Sequence, residues 1–299
     1  MASFTCSYAL LRMAVGIFAL LPLMAHADGT HAIHRLFAHW RDAHIHYNGV
    51  EESEVTARPT LVHGLYALYS HGRWVTTLND AGTLWIGQGQ IYVVPDGRYR
   101  PMNIEEKSAL RSEVIRSIAW ERLIKVTYGD GGGRRILELS AIDCPVCQRF
   151  ESTARHSEKL LNSTLYVIPA SLREISQGAE PTWQNVARIW CAKDNAAAWK
   201  MYWTNHAVPP MQQCDWNAQT ADDAVDVVVS ILKAVGVPEP NTTPAFIVED
   251  GERLPANTVS RASEDATFLT RTFGPIGLAR DVDGSRHQWL SVSSTESAD

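Results

Sequence analysis

Apolar positions follow two rhythms along this chain, and the rhythm changes more than once. Ile33, Leu36, Phe37 and Trp40 recur at helical spacing, which predicts a short amphipathic helix within residues 28–48. Over residues 61–94 the pattern becomes that of strands, in Gly64-Leu65-Tyr66-Ala67-Leu68-Tyr69 and Gln90-Ile91-Tyr92-Val93-Val94. Ser70-His71-Gly72, Asn79-Asp80-Ala81-Gly82 and Gly87-Gln88-Gly89 punctuate them and predict hairpin turns. Helix and sheet together make a small α+β unit over 28–102. A unit of that size is marginal by itself, and pairing with a second copy would complete its core.

Asn103-Ile104-Glu105-Glu106 then carries an N-cap residue with a glutamate three positions on. Leu110, Val114, Ile118 and Leu123 follow at roughly every fourth position, predicting a helix of about five turns that links two domains over 103–123. Residues 124–128 and 135–142 read as strands around the turn Gly129-Asp130-Gly131-Gly132-Gly133. Helical patterns run over 148–236, broken near Pro181 and Pro209-Pro210. Strand signal returns at Pro244-Ala245-Phe246-Ile247-Val248. The order strand, strand, helix, helical insert, strand implies an α/β domain over 124–290, followed by a polar, frayed tail at 291–299.

The first 27 residues change this picture. Arg12 is their only charge, residues 13–25 are almost wholly apolar, and Ala25-His26-Ala27 puts small residues where a signal peptidase cuts. The apolar run is shorter than the ~20 residues that span a bilayer, so the expectation is a cleaved secretory signal and not an anchor. Cys6 precedes that run and is no lipid-attachment site. A mature chain starting near Asp28 would keep 272 residues (299 − 27), and its formal charge would move from −6 to −7 with the loss of Arg12. Charges of both signs are scattered, which gives no basic stripe for nucleic acid.

Removal of the signal leaves Cys144, Cys147, Cys191 and Cys214, which in an oxidising compartment allow three pairings. Cys144-Pro145-Val146-Cys147 follows a predicted strand and opens a predicted helix. There the unpaired N–H groups and the helix dipole favour a thiolate at the first cysteine, and Pro145 suits a first helical turn. A zinc site would need a second Cys or His pair at matching spacing, and Cys191 and Cys214 have no close partner. Redox chemistry is therefore expected of Cys144 and Cys147. His31, His34, His39, His44 and His46 cluster without an evident acidic or cysteine partner, so no metal is expected there. The ten tryptophans read as core and cleft lining. Gly131-Gly132-Gly133 lacks a P-loop lysine or Rossmann spacing, and no cofactor is expected.

Several segments together resemble the DsbC/DsbG family of periplasmic disulfide isomerases over most of residues 30–254. They are residues 124–128 with the glycine turn and 136–147; Ile189-Trp190-Cys191-Ala192-Lys193-Asp194; Val235-Gly236-Val237 followed by Thr243-Pro244-Ala245; and the strand pattern of 64–94. The resemblance implies a thioredoxin-like catalytic domain with a helical insertion, preceded by a cystatin-like dimerisation domain and a linker helix. It implies a V-shaped homodimer around an apolar cleft, a structural Cys191–Cys214 bridge, and a cis Thr243-Pro244 bond against the reactive sulfurs. Pro145, Val146, Thr243 and Pro244 would then hold the backbone of misfolded or oxidised exported proteins. A membrane thiol reductase of the DsbD type would keep the pair reduced in the periplasm.

Glu138 lies six residues before Cys144 in a predicted central strand, where an unpaired carboxylate is costly. Thioredoxin and the DsbA oxidases are similar in carrying an acid at this spacing, which implies a proton relay to Cys147. The chain departs from the family in the dipeptide Pro145-Val146, in Asp143 directly before Cys144, in a lengthened 237–243 loop and in everything after Leu254. The charge of Asp143 is expected to act against a thiolate at Cys144. The same cysteines would also serve reduction of protein sulfenic acids or net oxidation of clients, and the cleft could serve mainly as a chaperone surface.

Overall fold

The computed structural model describes residues 30–42, 50–87, 90–93, 100–157, 161–249, 251–255 and 257–273. The expected signal segment, His44, His46 and the polar tail lie outside the described residues.

Helix α1 (Thr30–Asp42) buries Ala32, Ile33, Leu36, Phe37 and Trp40, the stripe that the spacing predicts. It lies on an antiparallel sheet of six strands in sequential order. These are β1 (Val55–Pro59), β2 (Leu65–Ser70), β3 (Arg73–Asn79), β4 (Leu84–Gly87), β5 (Gln90–Val93) and β6 (Arg100–Pro101). The β2–β3 hairpin turns through His71 and Gly72, both at positive φ (51° and 73°), as a two-residue turn between right-twisted strands requires.

Side chains alternate across this sheet, and both faces are covered from within the chain. Leu68, Leu78 and Trp85 pack with α1, while Ala67, Tyr69, Ile86 and Ile91 join the main core with Val114, Ile115 and Ile118. Within one chain the sheet therefore has apolar partners on both faces.

Helix α2 (Ile104–Arg116) opens with the predicted capping box: Asn103 Oδ1 accepts the Glu106 N–H at 2.9 Å, and Glu106 Oε2 accepts the Asn103 N–H at 2.9 Å. It ends sooner than the apolar spacing suggests. Beyond Arg116 the backbone finds partners in residues 61–63: the His63 N–H donates to Ser117 O at 2.7 Å and the Ala119 N–H to Leu61 O at 2.9 Å. Ile118, expected on the helix, bridges Val62 as a strand residue. Arg122 then ties three parts together. Its guanidinium donates to Thr60 O at 3.0 Å and lies 5.0 Å over the Trp216 ring, and its carbonyl accepts the Trp190 indole N–H at 2.7 Å. The 103–123 segment is therefore packed between the two sheets and is not a free spacer.

The second sheet has the order β10-β8-β9-β7, with β7 (Ile124–Thr127), β8 (Arg135–Ala141), β9 (Thr164–Ala170) and β10 (Ala245–Val248). β8 and β9 run parallel, joined through helix α3 (Pro145–His156), and the other pairs are antiparallel. β9 lies in a stretch that sequence patterning assigns to helix. A fully buried parallel strand shows no alternation, so periodicity cannot tell Leu165-Tyr166-Val167-Ile168 from a core helix.

The helical insert is α4 (Glu180–Trp190), α5 (Asn195–Asn205) and α6 (Ala218–Ala234). Pro181 stands in the first turn of α4 and starts the helix instead of breaking it. After Leu254, α7 (Thr258–Glu264) and α8 (Ala266–Phe273) return to the core. Phe273 is fully buried against Phe150 and Phe246, and its carbonyl accepts the Arg134 N–H at 2.8 Å. Gly133 is needed beside it, since a Cβ would collide with the carbonyls of Asn162 and Phe273. The segment that the resemblance does not reach thus closes the start of β8 and packs against Phe150 of α3.

Candidate active site

Strand β8 ends at Ala141, and the next three residues turn the chain into α3. Ile142 stays pinned to β9, its N–H donating to Ala170 O at 2.9 Å while its carbonyl accepts the Tyr202 hydroxyl at 3.1 Å. Cys144 is the N-cap of α3: its sulfur accepts the Cys147 N–H at 3.4 Å. Both cysteines are free thiols; Cys144 is 5 % exposed and Cys147 is wholly buried. The Thr243-Pro244 bond is cis, and Thr243 O accepts from Cys144 Sγ at 3.5 Å. Two segments 99 residues apart thereby meet at one sulfur. Pro145 is exposed and Val146 half-buried beside it, Thr243 is half-buried, and Pro244 lies in the core behind it.

The two sulfurs have different surroundings. Cys144 stands at the start of α3, with its sulfur against Thr243 O and the Cys147 N–H. Cys147 lies beneath it, and burial first, then the interaction with Cys144, pushes its thiol well above the ordinary value.

Glu138 is fully buried on central strand β8, opposite Phe246 on one side and Val167 on the other. Neither of its oxygens has a hydrogen-bond partner. Burial, followed by the charge of Glu151, pushes its carboxyl well above the ordinary range. Glu151 on α3 is a functional candidate that sequence reasoning passed over. It is 1 % exposed, with Oε2 accepting the Tyr128 hydroxyl at 2.9 Å and Oε1 the Trp199 indole N–H at 2.8 Å. A signal existed: Glu151 falls one turn after Cys147, on the same core-facing stripe as Phe150 and Ala154.

Asp143, directly before Cys144, is held by the residues that follow β9. Its carboxylate accepts the Leu172 N–H at 2.8 Å and the Ser171 hydroxyl at 3.0 Å, so it engages the loop after β9.

Away from the dithiol, Cys191 and Cys214 are joined as a disulfide with Cα atoms 5.8 Å apart. Among the described residues no group of three or more His, Cys, Asp or Glu side chains is arranged to hold a metal ion. His34 does have an acidic partner, Glu52, which is also held by Arg41 at 3.0 Å; sequence distance concealed this ion pair. No helix among the described residues is long and apolar enough to cross a membrane.

No family model matches the chain, and no curated protein matches it. Its C-terminal half is similar to the solved structure of a disulfide interchange protein and to that of a ScsC variant. A disulfide interchange protein from Neisseria gonorrhoeae is 19 % identical, with 50 % of this chain and 99 % of that one covered and a TM-score of 0.36. A linker-deleted variant of Proteus mirabilis ScsC is 13 % identical, with 50 % and 77 % covered and a TM-score of 0.33.

Proposed function

We propose that the protein is an exported thiol–disulfide interchange enzyme that rearranges and reduces non-native disulfides in other exported proteins. The observation that carries this reading is the Cys144 sulfur, placed at the start of α3 and 3.5 Å from Thr243 O, above a buried Cys147 thiol. Cys144 thiolate attacks a client disulfide; a bond forms between Cys144 and one client sulfur, and the other client sulfur leaves as a thiolate. Thr243, Pro244, Pro145 and Val146 surround the reacting sulfur and hold the client backbone.

The mixed disulfide then has two exits. A client thiolate can attack the client sulfur bound to Cys144, which completes rearrangement and frees Cys144. Alternatively Cys147 attacks Cys144, which releases the client reduced and leaves the enzyme disulfide. Burial holds Cys147 as a thiol, so its attack waits on removal of a proton, and Glu138 is the acceptor we assign. That delay favours rearrangement. Electrons pass from sulfur to sulfur, so the chemistry needs no cofactor. Return of electrons by a membrane thiol reductase of the DsbD type, pairing of two copies through the N-terminal unit, and a periplasmic location belong to the same proposal and rest on the sequence resemblance.

The test is a trapping experiment in cells with a Cys147→Ala variant, together with the redox state of the wild-type pair. The expected result is covalent adducts with exported proteins through Cys144 and a mostly reduced wild-type dithiol. Absence of adducts would overturn the reading, and a mostly oxidised pair would reverse its direction to net oxidation.

A further inference from the structure

A cavity of about 250 Å³ opens where the first sheet meets the helical insert, and the dithiol chemistry uses none of its residues. Two faces make it. Arg58 on β1 lies opposite Ala67 on β2, and Tyr69 stands two residues on, so all three project from one side of the sheet. On α6, Thr220, Asp223, Ala224 and Val227 fall on one helical stripe. Arg122 and Trp216 close a further side. Trp216 is firmly placed: it stacks on Trp190 at 4.2 Å, and its N–H donates to Cys214 Sγ at 3.3 Å, so the Cys191–Cys214 bridge holds this wall.

The polar groups of the cavity have bonds to give. Tyr69 is 4 % exposed, yet its hydroxyl has no hydrogen-bond partner among the described residues. Burial first, then the charge of Asp223, pushes that hydroxyl up to about 12, which keeps it a donor. The Arg58 guanidinium lies 4.4 Å over the Tyr69 ring and approaches Asp223 only to 3.7 Å, beyond hydrogen-bond length. Its fork of donors is therefore open. Asp215 is exposed where it lines the cavity, and its carboxylate has neither an ion pair nor a hydrogen bond among the described residues. We propose that this cavity binds a free amino acid with an aliphatic side chain: Arg58 and Tyr69 take the carboxylate, Asp215 the ammonium, and Leu61, Ala67 and Val227 the side chain.

Charge selects the class of ligand. Two guanidiniums and two carboxylates line the cavity, so a plain anion or a plain cation meets groups of its own sign, whereas a zwitterion is matched by both. Asp223 already faces Arg58 and accepts the Gln219 amide at 2.8 Å, which leaves Asp215 for the ammonium. A carboxylate suits the planar fork of Arg58, where two parallel bonds can form. Size agrees. Pockets for drug-sized ligands run to roughly 300–1,000 Å³ and favour domain junctions; this one lies at such a junction and falls just short of that range. A bound amino acid would touch β1, β2, α6 and the segment after Cys214 at once, and so brace the sheet against the insert. The site stands whatever reaction the dithiol performs.

The test is calorimetric titration of the full-length protein with L-leucine, with isocaproate, which lacks the ammonium, and with isoamylamine, which lacks the carboxylate. L-leucine is expected to bind one to one, and each of the others about tenfold more weakly. Tyr69→Phe, which removes only the unpartnered hydroxyl, should keep the melting temperature and weaken leucine about tenfold. Asp215→Asn, at an exposed position, should weaken leucine by a similar factor and leave isocaproate unchanged. Leucine should also raise the wild-type melting temperature and slow amide exchange over residues 58–62 and 214–220. Three results would each overturn the proposal: no heat with leucine up to saturation, isocaproate binding as tightly as leucine, or leucine binding untouched by Tyr69→Phe and Asp215→Asn.

Discussion

The carboxylate of Asp143 accepts the backbone N–H of Leu172 at 2.8 Å, so the residue next to Cys144 anchors the loop that leaves β9. Ser171 adds a second bond to the same carboxylate at 3.0 Å. Leu172 is 53 % exposed, one of the few large apolar side chains on the described surface, and this clamp ties its backbone to the residue before Cys144. Asp143→Ala should therefore weaken client binding, raising KM for a disulfide-bonded peptide several-fold with a smaller change in kcat. Asp143→Asn, which keeps an acceptor for the Leu172 N–H, should behave nearly as wild type. Equal effects of the two variants would show that charge, and not the clamp, matters.

Glu138 makes stability depend on pH. Its carboxyl is raised in the folded chain, so its contribution is fully present below the unfolded value of about 4.3 and is lost as pH rises through the folded value. Melting temperature should fall as pH rises above about 4.3 in the wild type, while Glu138→Gln should be flatter as pH rises. Parallel curves for the two proteins would contradict it.

The Cys191–Cys214 bridge closes a loop with a sequence separation of 23 inside the helical insert. Replacing both cysteines with serine should cost about 3 kcal/mol, read as a lower midpoint in denaturant unfolding. Alkylation of Cys144 in the folded variant should be unchanged, because the bridge lies outside the reacting group.

Arg122 joins the two sheets through Thr60, Trp216 and the covalent chain itself. Arg122→Ala should destabilise the protein by about 1–3 kcal/mol, the worth of a charged hydrogen bond with a cation–π contact. Amide exchange should rise first over residues 58–62 and 214–220. Uniform exchange across the whole chain would mean that Arg122 does not hold this junction.

The chemistry of this protein was legible where it is local. A helix needs its cap and its stripe within a few residues, so Asn103 with Glu106, and Ile33 with Leu36, Phe37 and Trp40, announce themselves. The same holds for Cys144 and Cys147, whose spacing places them at the cap and first turn of α3. Resemblance carried the reading further, to the Cys191–Cys214 bridge and to the cis bond before Pro244. Where a segment's environment is supplied from elsewhere, the linear pattern misled. β9 looks like a helix because it is buried on both faces, and α2 looks longer than it is because residues 61–63 capture its last turn as strand.

By itself the sequence determined that Cys144 and Cys147 open a helix after a strand, because this depends on neighbours a few positions apart. Tertiary structure alone decided what surrounds those residues. It gave both faces of the first sheet apolar partners within the chain, turned Asp143 towards Leu172, and buried Glu138 without a hydrogen-bond partner. Burial and charge pairing are sums over segments far apart in the chain, and no stretch of residues contains them before the sheets and helices close.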